Sequence, residues 1–191
     1  MDNEHVIIRR LNGLRDILLE IISLHEINKI FVYSDTISSQ LGASYAAHAF
    51  TQMQQSLHSY EILKLAKLWD PAADDRVGIP SLNKMVFASD AYDLDWKNKM
   101  NGWVLSVQQN PKFQSIKEYR ANNIAHKLDL KPKAHPLKYG DENLLLDESI
   151  EIFSEFYAVL NDTEFAWDRF QAFARMNAEA FLHGCKIEVL R

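Results

Sequence analysis

The sequence contains little cysteine and few turn-forming residues. Its 191 residues include one cysteine, six glycines and five prolines. The single thiol, Cys185, excludes an intrachain disulfide and a metal site built from several thiolates. Folds made of many short strands need more turn residues than this. Because 47% of the residues are hydrophobic and the chain is long enough for one sizeable core, the composition predicts a single helical domain over residues 1–191.

Long apolar runs and glycine-rich phosphate-binding loops are also missing. The most apolar early stretch, residues 17–24, is short and contains Glu20, which is typical of an amphipathic helix rather than a membrane span. The first residues carry acid where a secretion signal carries base. Without a glycine-rich loop, an ATPase or a kinase is not expected. We therefore expect a cytoplasmic protein that does not associate with membranes.

Apolar periodicity predicts two long helices in the first part of the chain. Residues 6–33 and 43–69 carry apolar side chains at steps of three and four. Helical faces of this length bury each other in an antiparallel bundle. Proline at position 71 ends the second helix. A polar loop at 72–78 and a short helix at 82–87 are expected to form an irregular insert before the later helices.

The second half of the chain has a weaker pattern, and residues 89–110 carry no clear prediction. The later elements are a helix from Pro111 to His126, a loop at 131–136, a helix from Asp147, a break at 161–163 and a last helix that ends at His183-Gly184. Asp162 or Thr163 is expected to cap the last helix. The aromatic side chains of that helix are predicted to be mostly core, and any exposed part would form a dimer surface.

Charge is distributed unevenly along the chain. The net charge of −5 argues against a general nucleic-acid binder. Residues 112–138, however, contain seven Lys or Arg and two acids, which gives +5, whereas residues 141–168 contain nine acids and no Lys or Arg. This polarity favours a local polyanion-binding stretch. Solvated helix faces that happen to differ in charge are the alternative.

One short segment carries residues suited to phosphate chemistry. Arg120 and His126 are separated by five residues, Ala125 directly precedes the histidine, and Asp129 follows it. The segment resembles the Arg-x4–6-His signature of the HEPN superfamily. More narrowly, it resembles the HEPN-like proteins of the type U abortive-infection group.

Two further segments strengthen this resemblance. Residues 64–71, which end in Trp-Asp-Pro, and residues 79–82, Ile-Pro-Ser-Leu, resemble the second helix and the following loop of that group. The resemblance covers residues 40–130 and, more loosely, the whole helical layout. It implies an antiparallel HEPN-like bundle.

The resemblance also implies a function: metal-independent endoribonuclease activity of an antiviral-defence or toxin–antitoxin type, without a cofactor. The implied partners are an RNA substrate, a second copy of the chain whose motif faces the same cleft, and an antitoxin protein. A histidine can move the proton of the ribose 2′-OH or protonate the leaving oxygen. An arginine stabilises the charged phosphate. The implied catalytic residues are Arg120 and His126, and the candidate RNA contacts are Lys117, Asn122, Asn123 and Lys127.

Helical geometry and two departures from the family pattern limit this interpretation. Six steps along a regular helix place Arg120 and His126 about 120° apart, so they do not share a face. Convergence needs a kink near His126 or pairing across a dimer axis. Ala121 stands where family members carry a polar residue. Leu128 replaces the tyrosine that is modified in the subclass paired with nucleotidyltransferase antitoxins, so that route of regulation is not expected.

Other interpretations remain open at this point. The fold could be a non-catalytic module that binds RNA, a nucleotide or a protein partner, or a purely structural dimer. Arg120 could be a surface arginine, and His126 a cap that the helix dipole favours. The histidines of the two long helices, His25, His48 and His58, lack metal-ligand spacing and are interpreted as core or surface residues. Asp70, Asp74 and Asp75 lack a calcium-loop pattern and are interpreted as solvated loop residues.

Overall fold

The computed structural model describes residues 3–32, 34–42, 45–70, 77–121 and 140–184. All regular structure within these ranges is helical, which confirms the predicted all-α class. The helices are α1 (Asn3–Phe31), α2 (Asp35–Gly42), α3 (Ala47–Leu68), α4 (Ile79–Ala88), α5 (Leu94–Gln109), α6 (Pro111–Tyr119), α7 (Asp141–Asn161) and α8 (Trp167–Gly184). None of these described helices combines the length and the apolar character that a membrane crossing requires.

Several local predictions were wrong. A short helix, α2, occupies residues 35–42, where the sequence suggested an interruption. The helix predicted from Asp147 begins six residues earlier, at Asp141. Its first turn contains the buried Glu142, which breaks the apolar pattern but accepts a hydrogen bond from the Gly140 N–H at 3.0 Å. The break at 161–163 is present, yet α8 begins only at Trp167, so neither Asp162 nor Thr163 caps it.

The chain divides into two compact units, residues 1–18 with 63–165 and residues 19–62 with 166–191. The single-domain organisation therefore stays a prediction. The loop expected at 131–136 lies outside the described residues.

The first unit is built around α4 to α7. Helix α5 packs against α4, α6 and α7, and α6 also packs against α7. Helix α4 begins at Ile79, earlier than predicted, because Pro80 suits the first helical turn. The fully buried side chains of this unit include Leu11, Leu65, Trp69, Leu82, Met100, Ile116, Phe153 and Phe156. This apolar core fixes the end of α3 relative to α6 and α7.

The second unit contains an apolar cluster and a buried polar network. Phe31, Ile37, Phe50 and Leu182 form the cluster. In the network, the Glu61 carboxylate accepts hydrogen bonds from His25 Nδ1, at 2.6 Å, and from the Asn28 side-chain amide. These hydrogen bonds compensate for the cost of burying the Glu61 carboxylate.

The remaining histidines of the long helices differ in burial. His58 is buried, and this burial lowers its pKa, with Glu61 acting in the opposite direction. His48 is exposed. Helix α8 departs from the prediction of a mostly buried aromatic helix, because Phe173 and Phe181 are 55% and 58% exposed.

A second buried carboxylate, Glu26, is paired with two cations of the same unit. Lys29 Nζ lies 2.7 Å from Glu26 Oε1, and Arg175 Nε lies 3.0 Å from Oε2. Burial raises the pKa of Glu26, but the hydrogen bonds and charges of Lys29 and Arg175 outweigh it and hold the pKa below its ordinary value of 4.5.

The contacts of Glu26 with Lys29 and Arg175 predict a specific loss of stability in acid. A carboxyl group whose pKa is lowered by folding stabilises the native state above its unfolded pKa, and this contribution disappears as the pH falls through the folded pKa. We expect the urea midpoint of Glu26→Gln to lie below that of the wild type at pH 7. When the midpoints are plotted against pH, the curves of the two proteins should converge below about pH 4.5. The exposed Glu151→Gln is the control. Parallel curves for Glu26→Gln and the wild type would contradict the prediction.

Candidate functional site

Helix α6 carries the arginine of the predicted motif. It begins at Pro111, and the side chain of Asn110 accepts a hydrogen bond from the Lys112 N–H at 2.9 Å. Proline suits this position because its missing N–H is not needed in the first turn. Phe113 and Ile116 bury the inner face of the helix. The cap and the buried side chains together fix the direction of α6, and Arg120 directly follows its last residue.

Arg120 lies where α6 ends. Its backbone N–H is shared between the carbonyls of Ile116 and Lys117, and a π-helical turn begins at Arg120 and includes Ala121. Its guanidinium Nη1 lies 3.4 Å from Asp70 Oδ2. The Arg120 side chain is 32% exposed and that of Asp70 is 16% exposed. The Arg120 side chain is therefore partly exposed and is paired with a carboxylate.

The partner carboxylate, Asp70, directly follows a buried tryptophan in the chain. Trp69 precedes Asp70 and is completely buried. Its indole N–H donates to Ser149 Oγ at 2.7 Å, and this hydroxyl donates to the Leu145 carbonyl at 2.5 Å. The Trp69 ring also contacts that of Phe113, with centroids 5.7 Å apart. Trp69, which follows α3, thus contacts α6 through Phe113 and α7 through Ser149, directly before Asp70 in the chain.

Two lysines of the basic stretch have neighbours in the same unit. Lys117 Nζ lies 5.4 Å from the centroid of the Phe113 ring, a cation–π distance. Lys112 Nζ lies 3.6 Å from Asp141 Oδ1. The basic and acidic stretches of the sequence therefore meet at this point and partly neutralise each other. Lys117 remains close to Arg120 along the helix.

Comparison with known families adds to this geometry. The HEPN_AbiU2 family model (AbiU2) matches residues 7–181. The chain belongs to this HEPN-type abortive-infection family. The match confirms the resemblance predicted from the sequence and includes both residues of the Arg-x5-His motif. No curated protein and no solved structure matches the chain.

The structure locates only part of the predicted HEPN site. Lys117 lies on α6, and Arg120 directly follows the last residue of that helix. His126 and the other predicted RNA contacts, Asn122, Asn123 and Lys127, lie outside the described residues. The convergence of Arg120 with His126 therefore stays a prediction.

Asp70 was misinterpreted from the sequence. It was grouped with two later aspartates as a solvated loop residue, whereas it is largely buried and paired with Arg120. The two residues are 50 positions apart, so no local periodicity connects them. The available signal is that Asp70 lies in the Trp-Asp-Pro segment, one of the segments that resemble the HEPN group.

Proposed function

We propose that this HEPN protein is a metal-independent endoribonuclease of an antiviral-defence or toxin–antitoxin type. The observation that carries the proposal is the placement of Arg120. Within a chain of the HEPN_AbiU2 family, the motif arginine is partly exposed and held by a carboxylate, not buried in a packing role. A permanently charged, preorganised guanidinium is suited to stabilise a phosphate as negative charge develops on it.

The proposed reaction uses the ribose 2′-OH as nucleophile. The 2′ oxygen attacks the adjacent phosphorus and loses its proton, while the bond from phosphorus to the 5′ oxygen breaks and that oxygen gains a proton. His126 serves as acid or base, because a histidine exchanges protons near neutral pH. Arg120 balances the charge on the non-bridging phosphate oxygens. The products are a 2′,3′-cyclic phosphate and a 5′-hydroxyl, and neither proton transfer requires a metal.

The proposal includes a homodimer in the cytoplasm. On a regular helix Arg120 and His126 would be about 120° apart, so we propose that two motifs facing one cleft supply a complete set. The exposed aromatic side chains of α8, Phe173 and Phe181, are the surface we assign to the dimer contact. Lys117, Asn122, Asn123 and Lys127 are the proposed RNA contacts, and an antitoxin protein is the proposed restraint on activity.

The test uses purified wild-type protein and a synthetic RNA in EDTA. We expect cleavage that leaves 2′,3′-cyclic phosphate ends, and we expect a single 2′-deoxy substitution to block cleavage at that position, because the nucleophile is then absent. Product ends are read by mass spectrometry. RNA that stays intact with purified protein, and also after the protein is induced in cells, would contradict the proposal. RNA binding without cleavage would identify a non-catalytic HEPN module.

A further inference from the structure

We propose that Asp70 is the positioning residue of the site and orients Arg120 for the scissile phosphate. This inference rests on the proposed function. The Asp70 carboxylate contacts Nη1 of the guanidinium through one oxygen and does not engage its other N–H groups. Asp70 is more buried than Arg120, so the carboxylate is the fixed member of the pair and the guanidinium is the member that is held.

The backbone around Asp70 supports a fixed carboxylate. The Asp70 N–H donates to the Lys67 carbonyl at 3.2 Å, directly after the buried Trp69. The chain then returns at Gly78, where an added β-carbon would lie 3.0 Å from the Leu68 carbonyl oxygen and 3.6 Å from that of Asp70. The close approach at Gly78 leaves little space for the end of α3 to shift. A carboxylate on such a backbone can define the direction of its partner.

The form of the pair favours positioning over inhibition. A guanidinium has five N–H donors, and a carboxylate that blocked it would be expected to use two of them in a short bidentate contact. Here one nitrogen of Arg120 approaches one oxygen of Asp70 at 3.4 Å. In the described part of the chain, Asp70 is the side chain to which this guanidinium is hydrogen-bonded. With this single contact, Asp70 does not engage the other N–H donors of Arg120, and the Arg120 side chain is 32% exposed.

This arrangement predicts that loss of Asp70 lowers kcat without raising KM. Without Asp70, Arg120 loses its orientation, so the transition state is stabilised less and kcat falls. Removing a negative charge near the substrate phosphate also removes repulsion, so KM does not rise. A smaller folded fraction would also lower the apparent kcat at constant KM, so kcat is calculated per folded molecule, with the folded fraction measured by circular dichroism.

The kinetic test compares Asp70→Ala, Asp70→Asn and Asp70→Glu with the wild type. We expect kcat for RNA cleavage to fall about tenfold in Asp70→Ala, with KM unchanged or lower. Asp70→Asn, which keeps an acceptor oxygen, should lose less, and Asp70→Glu should restore part of the rate. Asp141→Asn is the matched control, because it removes a carboxylate from the Lys112 pair in the same unit. A kcat of Asp70→Ala equal to that of the wild type would overturn the proposal, and a higher kcat would make Asp70 an inhibitory latch.

A second measurement does not depend on cleavage. The side-chain ¹⁵Nε relaxation of Arg120, assigned by its loss in Arg120→Lys, reports how strongly the guanidinium is ordered. We expect the Arg120 signal to show increased motion in Asp70→Ala and wild-type motion in Asp141→Asn. Equal order of Arg120 in Asp70→Ala and the wild type would overturn the positioning role. If the wild type cleaves no RNA, the proposed function fails, and this relaxation measurement alone decides whether Asp70 orients Arg120.

Discussion

Replacing His126 with alanine is expected to lower the rate constant for RNA cleavage by about 10² to 10⁴-fold. Alanine cannot exchange the proton of the 2′-OH or of the leaving oxygen, so the reaction loses its acid or base. Arg120→Ala is expected to lower the rate by about 10² to 10³-fold, since a preorganised charge near the phosphate is lost. Single-turnover cleavage of a labelled RNA in EDTA measures both effects.

Matched surface variants separate chemistry from general damage. His48→Ala and Arg9→Ala remove the same side-chain types from exposed positions on α3 and α1, and we expect wild-type rates from both. Arg120→Lys keeps the charge but not the planar fork, so its rate should lie between those of the wild type and Arg120→Ala. The double variant of Arg120 and His126 should be little slower than the less active of the two single variants. The effects of residues that act as a unit are not additive.

The cellular result should follow the same order. Induction of the wild type is expected to arrest growth and fragment RNA, whereas Arg120→Ala and His126→Ala should accumulate as folded protein without either effect. A wild-type rate from His126→Ala would contradict the assignment of the acid or base, even if cleavage itself were confirmed.

The long helices could be predicted because their burial is periodic. In α1, Ile7, Leu11, Leu14, Leu18 and Ile21 are all buried, as their steps of three and four require. Pro111 marked the start of α6, since proline has a defined place in the first turn. These signals are local, so one sequence is enough to detect them.

The missed elements depend on tertiary contacts. Helix α2 has eight residues and buries Ile37, which completes the cluster with Phe31 and Phe50. The first turn of α7 buries Glu142, which reads as a surface residue in the sequence. The Arg120–Asp70 pair joins residues 50 positions apart. Only the folded core brings the end of α3 to the end of α6.

The same core links stability to the candidate site, because the buried Trp69 directly precedes Asp70 in the chain. The family segment Trp-Asp-Pro therefore combines two roles in adjacent residues. Trp69 contributes apolar burial and a hydrogen bond to Ser149, and Asp70 contributes the carboxylate that contacts Arg120. The tryptophan is the structural member of the segment and the aspartate the functional one. Variants at the two positions should differ accordingly in what they change.

Replacing Trp69 with alanine is expected to lower the free energy of unfolding by about 3–5 kcal/mol. The side chain is completely buried, packs on Phe113 and donates a hydrogen bond to Ser149, so alanine leaves both a cavity and a lost bond. Trp103→Ala is the matched control. That indole also donates a hydrogen bond, to Glu148 at 2.7 Å, but it is only partly buried, so its loss should cost less. Urea unfolding followed by circular dichroism measures both.

The hydrogen bond of Trp69 can be tested apart from its volume. Ser149→Ala leaves the buried indole N–H without an acceptor and should cost about 1–3 kcal/mol. Trp69→Phe removes that donor while Ser149 keeps its bond to the Leu145 carbonyl, so no buried hydroxyl is left unpaired. Combining Trp69→Phe with Ser149→Ala should therefore cost less than the sum of the single variants. Strict additivity would show that the Trp69–Ser149 bond contributes nothing, and the stability of this region would then rest on packing alone.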